Sequence, residues 1–572
     1  MKKIFTLFTA LTTFMQLQAQ PGFHWAQSFG GYDMDWPYGI RLDNNTDVIT
    51  IAGYKGLIDF DWGNDTVNIA SSGGIILHKT NGNGQLQWAK KITKKSSAVP
   101  TLRTNPNNDI FIAGAYSGTE DFDPDTAIIY NDTAKGSINA YLLKLNASGN
   151  FQWLRTLKGY TSSSTNRAVF TAFDMDASGN MFITGFYRGT IDFDPGPALD
   201  TATSASIDNA FLLKLDANGN LVWVKRWSSP NLGFSNITCA TNGDLLMTGS
   251  FQATPDFDPS SGVFNMTGTA GADMFVLRMD ANGNFVWAKA FKGAVVSQYS
   301  NTATPLAVVN STNNEILLSG YFHGKVDFDP STGVSYLTTD TLNTTSFVLR
   351  LSMTGDLVWV KSFDGIDNVG NDITSDASGA CYVHGYYGTS MDADPGTGTH
   401  NLPQLSSYNS NLYLVKLNAS GDYVWSNNFG GHGFIFGKQM AFDEGKQEFY
   451  FTGQYKDTSD FDPGPNTNLM TSQGELDVYV MKVGMHPAGI SSLTMQASNQ
   501  FMVYPNPASN MLYIKHQVNE NEMYEIKLYN FFGQQLYAER TNKVLHTLSI
   551  EQFPKGIYSL KLNQEVRRVV KE

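Results

Sequence analysis

The chain has 572 residues, of which 41% are hydrophobic and 13% aromatic, so it can bury a large core and is not a disordered chain. Its formal net charge is −13; residues 1–20 and 501–572 each carry +2, which leaves −17 for the segment between them. This acidity argues against nucleic acid or an anionic membrane surface as a partner.

The first twenty residues have the pattern of a secretory signal peptide. Two lysines precede an apolar stretch from Ile4 to Met15, and residues 17–19 offer a small-residue cleavage site. The apolar stretch is too short to span a membrane, and no later run reaches membrane length. We therefore predict a signal peptide over residues 1–19 and no transmembrane segment.

An acidic turn and a tryptophan recur together seven times, with 62 to 71 residues between successive turns. Two independent markers with one period indicate a single supersecondary unit that is repeated and packs against its neighbours. The turns are Asp59-Phe60-Asp61, Asp121-Phe122-Asp123, Asp192-Phe193-Asp194, Asp256-Phe257-Asp258, Asp327-Phe328-Asp329, Asp392-Ala393-Asp394 and Asp460-Phe461-Asp462. The tryptophans are Trp25, Trp88, Trp153, Trp223, Trp287, Trp359 and Trp425.

Each repeat contains the pattern of four short strands. In the third repeat these are residues 168–173, 181–187, 210–215 and 221–225, with Ser-Gly and Asn-Gly turns after the first and third strands. The second and third strands are almost continuous apolar runs, which indicates burial on both faces. Four antiparallel strands with buried inner members are typical of a propeller blade.

The two ends of the repeat array complement each other. Trp25 lies in a fourth-strand sequence with no third strand before it, whereas the seventh repeat ends at a third strand, residues 477–483. We therefore predict an all-β chain whose residues 20–484 form a seven-bladed β-propeller, closed by the N-terminal strand in the last blade.

A glycine follows the apolar core of the second strand in every repeat. We expect each to end that strand, where the backbone needs close approach or a positive φ. The glycines are Gly53, Gly114, Gly185, Gly249, Gly320, Gly385 and Gly453.

Three segments of the third repeat carry a family resemblance. Residues 176–185, the Asp-Phe-Asp-Pro-Gly turn at 192–196 and residues 211–223 resemble the SBBP-type β-propeller repeat of secreted bacterial proteins. The resemblance covers about residues 21–484, with departures at Ala393 and Trp62. It implies a propeller fold and an exported location, and it brings no catalytic residues.

A second module follows a polar linker predicted over residues 485–500. Residues 501–572 read as a small β-sandwich-like domain. The segments 504–507, 528–533, 555–558 and 567–571 resemble, in their order, the type A C-terminal sorting domain of the type IX secretion system. The resemblance implies that residues 501–572 contact the outer-membrane secretion machinery and are then removed, so that the mature protein is secreted or attached to the outer cell surface.

No catalytic motif is visible in the sequence. There is no G-x-S-x-G elbow, no phosphate-binding glycine loop and no His-Glu-x-x-His pattern. We expect a monomeric, non-catalytic binding or scaffold module for an unknown surface glycan or protein. The alternative is a secreted hydrolase whose active site is built from divergent loops, such as Gly396 to Asn411.

The acidic turns are the candidate metal site. Paired aspartates suit Ca²⁺, and fourteen of them in an acidic segment favour weak calcium binding at all seven turns. The other interpretation is structural: the aspartates accept hydrogen bonds from their own turns while the central Phe packs inward. No other cofactor is expected.

Overall fold

The computed structural model describes residues 20–485 except 62–66, 95–97, 126, 230, 270, 294–301, 312, 340–342, 407, 409, 432 and 465. It also describes 501–571 except 505–507, 517–523, 531–533, 544 and 563–564. In these residues every regular element is a β-strand, and no helix could cross a membrane. The predicted signal peptide lies outside them, as does the predicted linker after Met485.

The chain divides into two compact units, the larger of which is Phe23–Gly484. This unit contains seven antiparallel sets of four strands, named sheets 1 to 7 here in chain order. Sheet 1 comprises Trp36–Leu42, Val48–Asp59, Asn68–Thr80 and Leu86–Lys91; sheet 2 comprises Thr101–Thr104, Ile110–Tyr116, Asn139–Leu145 and Phe151–Gly159; sheet 3 comprises Arg167–Met175, Met181–Asp192, Thr201–Leu215 and Leu221–Arg226.

The remaining sheets repeat this order. Sheet 4 comprises Leu232–Cys239, Leu245–Phe251, Asp273–Met279 and Phe285–Gly293; sheet 5 comprises Thr302–Asn310, Ile316–His323, Thr345–Leu351 and Leu357–Ser362; sheet 6 comprises Val369–Ser375, Cys381–Tyr387, Asn411–Leu417 and Tyr423–Phe429. Sheet 7 comprises Phe434–Asp443, Glu448–Lys456 and Asp477–Met485, and its fourth strand is the N-terminal Pro21–Phe29. The expected pairing of the Trp25 strand with the third strand of the last repeat is therefore present.

Short strand pairs extend the second and third strands beyond the core of a sheet. They are Thr119–Asp121 with Asn131–Thr133, Lys325–Asp327 with Tyr336–Thr338, Met391–Asp392 with Asn401–Leu402, and Thr458–Asp460 with Leu469–Thr471. In sheet 3 the extension is continuous, because Gly189 to Asp192 pair with Ser204 to Thr201. The third strand of this sheet therefore begins at Thr201, earlier than the predicted start at residue 210.

The second and third strands form the core of each sheet. All seven residues of Ile110–Tyr116 are buried, as are all seven of Thr345–Leu351. The first strands mix buried and half-buried residues, and the fourth strands are mostly half-buried. This confirms that the continuous apolar runs mark strands covered on both faces.

The repeated glycines lie inside the second strand rather than at its end. Gly185, for example, is the fifth residue of Met181–Asp192 and pairs with Phe170, next to a bulge in the first strand. A Cβ there would lie 2.2 Å from the carbonyl oxygen of Val169 and 2.5 Å from the ring of Phe211. The glycine is needed for close approach of backbone and ring, and its φ is not positive.

Contacts between first strands join neighbouring sheets around the whole series, and an indole N–H bond adds to some of the junctions, although not at Trp425 of sheet 6, whose indole N–H is buried without a partner. The first strand of each sheet contacts the first strand of the next, and the first strands of sheets 7 and 1 also touch. Trp287 of sheet 4 donates its indole N–H to the Met353 carbonyl of sheet 5 at 3.0 Å. Trp25 of sheet 7 donates in the same way to the Gly82 carbonyl of sheet 1 at 3.1 Å.

A cation on the third strand adds to each of these junctions. Arg350 of sheet 5 donates to the Ala419 carbonyl of sheet 6 at 2.8 Å, beside the indole of Trp359. Lys482 of sheet 7 donates to the Gly82 carbonyl at 3.2 Å, beside Trp25. The junction between the last and first sheets thus has an indole donor and a cationic donor on one carbonyl, as the junction between sheets 5 and 6 has.

A buried histidine lies close to that junction. His78 of sheet 1 is 1% exposed, packs against Phe29 with 4.3 Å between ring centroids, and its two ring nitrogens have no hydrogen-bond partner. Burial lowers the pKa of His78 to about 3. The imidazole is therefore neutral in the folded protein at all moderately acidic pH values.

We expect His78 to make the fold acid-sensitive. Its folded pKa lies below the unfolded value of about 6.5, so unfolding takes up a proton between those values and stability falls as pH falls through that window. From pH 7.5 to 4.5 this contributes a loss of about 2 to 3 kcal/mol, which a His78→Leu variant should lack. Urea unfolding of both proteins at the two pH values measures the difference; equal losses would contradict it.

The smaller unit contains the C-terminal strands. Phe501–Tyr504, Met511–His516 and Leu545–Ser549 form one sheet; Gln535–Thr541, Tyr524–Tyr529, Gly556–Leu562 and Glu565–Lys571 form the other. Leu512, Ile526, Leu560 and Val569 share one buried cluster between strands of both sheets. Lys571 donates its ammonium to the carbonyls of Ile550, Glu551 and Phe553 at 2.7, 2.8 and 2.5 Å.

Candidate functional site

The seven acidic turns occupy the same place in every sheet, between its second and third strands. In the third turn, Asp192 Oδ1 accepts the backbone N–H of Asp194 and that of Asp200, both at 3.1 Å. The first aspartates of the other six turns make the same two bonds, the second to a residue eight or nine positions on. These are Asp59, Asp121, Asp256, Asp327, Asp392 and Asp460.

The second aspartate and the central residue complete the turn. Asp194 Oδ1 accepts the Gly196 N–H at 2.6 Å, and the second aspartates at 123, 258, 329, 394 and 462 accept an N–H two residues on as well. Phe193 is fully buried and meets Tyr187 edge-on at 5.0 Å between centroids. Ala393 takes the equivalent buried place in sheet 6.

These contacts give both aspartates of six turns, and Asp59 of the first turn, a role in local structure. Each turn uses one carboxylate oxygen to hold backbone N–H groups, and the aromatic side chain anchors the turn in the core. In the described residues, no three His, Cys, Asp or Glu side chains are grouped so that they could hold a metal ion. Calcium binding by the second oxygens of the turns stays a prediction.

Calcium is expected to stabilise the protein if those oxygens bind it. A site occupied only in the folded state adds roughly 1.4 kcal/mol at ten times its Kd, so several sites should raise Tm clearly more than sodium does at equal ionic strength. Asn keeps the oxygen that accepts the turn N–H but removes the charge. Asp→Asn at 192, 194, 256, 258, 327 and 329 should therefore shrink the calcium shift in a thermal melt.

Two results would contradict calcium binding at the turns. The first is an equal Tm shift with calcium and with sodium. The second is a calcium shift that survives unchanged in the six-fold Asn variant. Either result assigns the aspartates to turn structure only.

The divergent loop of sheet 6 shows a hydrogen-bonding pattern of its own. Ser406 Oγ donates to the Gly433 carbonyl at 2.5 Å, and Ser410 Oγ donates to the Ile435 carbonyl. His400 stacks on Tyr423 with 4.8 Å between ring centroids. Among the described residues of this loop, the buried hydroxyls thus bond to backbone, and His400 packs on a ring.

A cavity of about 650 Å³ is lined by the first strands of all seven sheets; we call it the first-strand cavity. Its charged residues are Arg41, Arg103, Asp174, Asp372 and Lys438, from sheets 1, 2, 3, 6 and 7. Volumes of this size accommodate small-molecule ligands. This cavity is the second candidate site, and the sequence analysis did not identify it.

Side chains in the cavity wall link consecutive first strands. Arg103 Nε donates to Asp174 Oδ1 at 2.9 Å, and Asp174 Oδ2 accepts the Cys239 N–H at 2.8 Å. Asp372 Oδ2 accepts the Met440 N–H at 2.9 Å. Gln439 Oε1 accepts the Ile40 N–H at 3.1 Å, which joins sheet 7 to sheet 1.

The enclosure changes the titration of the charged residues. Burial lowers the pKa of Arg41, and the nearby Arg103 lowers it further. Partial desolvation lowers the pKa of Lys438, whose side chain is exposed, against the opposing attraction of Asp372. Burial raises the pKa of Asp372, although the Met440 N–H and Arg41 oppose the rise. The cavity therefore disfavours charges that lack a partner.

Comparison with known proteins gives distant likenesses that cover most of the chain. A protein of Acanthamoeba polyphaga mimivirus, described as an uncharacterized WD repeat-containing protein, is 20% identical over 479 residues, which cover 70% of this chain and 34% of that protein. The chain thus spans about a third of the length of the curated relative it matches. No SBBP family model matches, so that resemblance stays a prediction.

Solved structures resemble the chain only loosely. A protein of unknown function from Dyadobacter fermentans is 10% identical, with 81% of this chain and 99% of that chain covered and a TM-score of 0.33. A member of the DUF4221 family from Bacteroides vulgatus is also 10% identical, with coverage of 82% and 100% and a TM-score of 0.27.

The C-terminal unit has a clear family match. Residues 502–572 match the family described as the secretion system C-terminal sorting domain, which confirms the sorting domain expected from the sequence. Such a domain implies an interaction with the type IX secretion machinery and export to the cell surface or the extracellular space. The chain therefore ends, over residues 502–572, in a secretion system C-terminal sorting domain.

Proposed function

We propose that the larger unit is a closed seven-bladed β-propeller that works outside the cell as a non-catalytic binding or scaffold module for a glycan or a protein. The observation that carries this proposal is the first-strand cavity, to which all seven sheets contribute. When sheets are arranged radially, their equivalent strands surround a central cavity.

Three further observations support the propeller. The first strands contact one another in an unbroken cycle, and Gly82 receives from sheet 7 the same pair of donors that Ala419 receives from sheet 5. The mimivirus relative is described as WD repeat-containing, and WD repeats form four-stranded propeller blades. In a propeller, the seven acidic turns lie on one face.

A binding role fits the near-equivalence of the sheets. An active site built from the loops of one sheet would need a reactive set of side chains in those loops. In the most divergent loop here, Gly396 to Asn411, the buried hydroxyls of Ser406 and Ser410 are engaged with backbone carbonyls. Export through residues 502–572 places the binding surface at the cell exterior, and we propose that the mature monomer lacks residues 1–19 and the 501–572 module.

A glycan array combined with a broad hydrolase screen tests this function on the secreted protein. We expect retention of a defined glycan or surface protein without turnover. The matched variants are His400→Ala in the divergent loop and His323→Ala in sheet 5. Turnover that disappears in His400→Ala alone would establish the hydrolase alternative and contradict the binding module.

A further inference from the structure

We propose that the first-strand cavity binds a carboxylate-bearing sugar, whose carboxylate is held by Arg41 and Lys438. This inference rests on the proposed binding function and names the ligand class of one site. Arg41 lies in the first strand of sheet 1 and Lys438 in the first strand of sheet 7. The Ile40 N–H bond to Gln439 Oε1 fixes these two strands side by side.

Both cations have unused hydrogen-bonding capacity. Arg41 donates through one terminal nitrogen to the Ile40 carbonyl at 2.7 Å, and no described carboxylate lies within ion-pair distance of its guanidinium. Lys438 has neither a hydrogen bond nor an ion pair to any residue that the structure describes. A guanidinium offers five N–H donors, so most of those on Arg41 are available to a ligand.

The two carboxylates of the cavity are already engaged. Asp174 accepts from Arg103 and from the Cys239 N–H, and Asp372 accepts the N–H groups of Met440 and Ile373. They lie near Arg41 and attract it, but they do not pair with it. The three cations and two anions leave an excess of positive charge in a segment whose overall charge is −17.

Enclosure makes that excess costly at Arg41, whose side chain is half-buried, whereas Lys438 is exposed. An ion removed from bulk water is destabilised unless an opposite charge or hydrogen bonds replace the lost hydration. A ligand carboxylate can accept two parallel N–H groups from Arg41, a geometry that a planar guanidinium favours. The surrounding acidic surface repels extended polyanions, so a small acid fits better than a nucleic acid.

The rest of the wall suits the hydroxyl-rich body of a sugar. Ser235, Thr304 and Thr374 offer hydroxyls to the cavity, whereas the Thr171 hydroxyl already bonds to Thr184. The amide nitrogens of Asn236 and Asn371 already donate to backbone carbonyls, so these two residues offer their amide oxygens. Tyr386 and Phe436, with ring centroids 4.5 Å apart, add aromatic surface. A carboxylate clamp together with hydroxyls and aromatic faces is the combination that recognises a uronic acid.

Isothermal titration with tri-galacturonate tests this site on the secreted protein. Its methyl ester has the same skeleton without the charge and is expected to bind at least tenfold more weakly. Arg41→Gln and Lys438→Gln should each weaken tri-galacturonate binding about ten- to hundredfold, because each removes a charge-assisted contact. Lys456→Gln, which removes an exposed lysine paired with Glu475 at 2.6 Å, should leave it unchanged. Thermal melts of all variants verify folding.

Several results would overturn this inference. Equal binding of acid and ester, or binding unaffected by both cavity variants, would show that the carboxylate is not held there. If a poly-glutamate peptide binds with the same affinity as tri-galacturonate, the site recognises acidic peptides rather than an acidic sugar. Absence of tri-galacturonate binding while the array retains a neutral glycan or a protein would reject this site and leave the proposed function intact.

Discussion

Deletion of residues 20–29 is expected to destabilise the protein more than any single substitution in the larger unit. These residues include the fourth strand of sheet 7, so the deletion exposes the edge of Asp477–Met485 and removes Phe29, which is 1% exposed. Loss of a buried Phe alone costs about 3 to 5 kcal/mol, a large part of a typical folding free energy. Urea unfolding monitored by tryptophan fluorescence measures the loss.

The matched control is removal of the same number of residues from the predicted linker, for example 488–497. This change should alter the free energy of unfolding by less than about 0.5 kcal/mol, the range of surface changes away from packed features. Equal destabilisation by the two deletions would mean that the N-terminal strand does not complete sheet 7.

Arg350→Ala is expected to destabilise the protein by about 3 to 5 kcal/mol, the range for breaking a buried ion pair from one side. The side chain is 2% exposed and pairs with Glu315, and it also donates to the carbonyls of Gly379 at 3.0 Å and Ala419 at 2.8 Å. Its removal leaves a carboxylate and two carbonyls short of a donor between sheets 5 and 6.

Lys456→Ala provides the comparison for Arg350→Ala. Lys456 pairs with Glu475 at 2.6 Å, but both side chains are well exposed. Exposed pairs contribute about 0 to 1 kcal/mol, so this variant should unfold at nearly the wild-type urea concentration. If both variants lose the same stability, Arg350 is not the inter-sheet contact described above.

Much of the fold could be predicted because its markers repeat with the chain. The acidic turn recurs since each sheet places a buried side chain, a Phe in six sheets and Ala393 in sheet 6, between carboxylate acceptors that hold the turn between its second and third strands. The tryptophan recurs since its indole meets the hairpin of the next sheet, as Trp359 does at Ala419 with 3.0 Å. The sequence could not decide the role of the repeated glycines, because a recurring glycine is expected both for close backbone approach and for a positive φ. The structure shows close approach.

The first-strand cavity was missed for a physical reason. The side chains that the first strands direct to the cavity do not pack into a common core, so their residue types differ from sheet to sheet. No repeated residue type therefore marks the first strands in the sequence. A positional signal existed: Arg41, Arg103 and Asp174 are 62 and 71 residues apart, the same spacings as the first three acidic turns. Charged residues that recur at equivalent positions of the first strands indicate a charged cavity.

Closure of the seven sheets into a ring is the central claim, and a zero-length cross-link tests it most directly. Lys446 of the sheet 7 hairpin lies 2.5 Å, Nζ to Oγ1, from Thr46 of the sheet 1 hairpin, 400 positions away in sequence. Thr46 has a φ of 62°, a conformation that Asp tolerates better than Thr. A Thr46→Asp variant treated with a carbodiimide should therefore form an amide between residues 46 and 446.

Peptide mass spectrometry of the monomer fraction reads the result. The account predicts a 46–446 linked peptide in Thr46→Asp and its loss in Thr46→Asp with Lys446→Arg, because a guanidinium does not form the amide. The exposed Lys456–Glu475 pair of sheet 7, at 2.6 Å, serves as the internal control in each sample. A 456–475 link without any 46–446 link would contradict a closed ring.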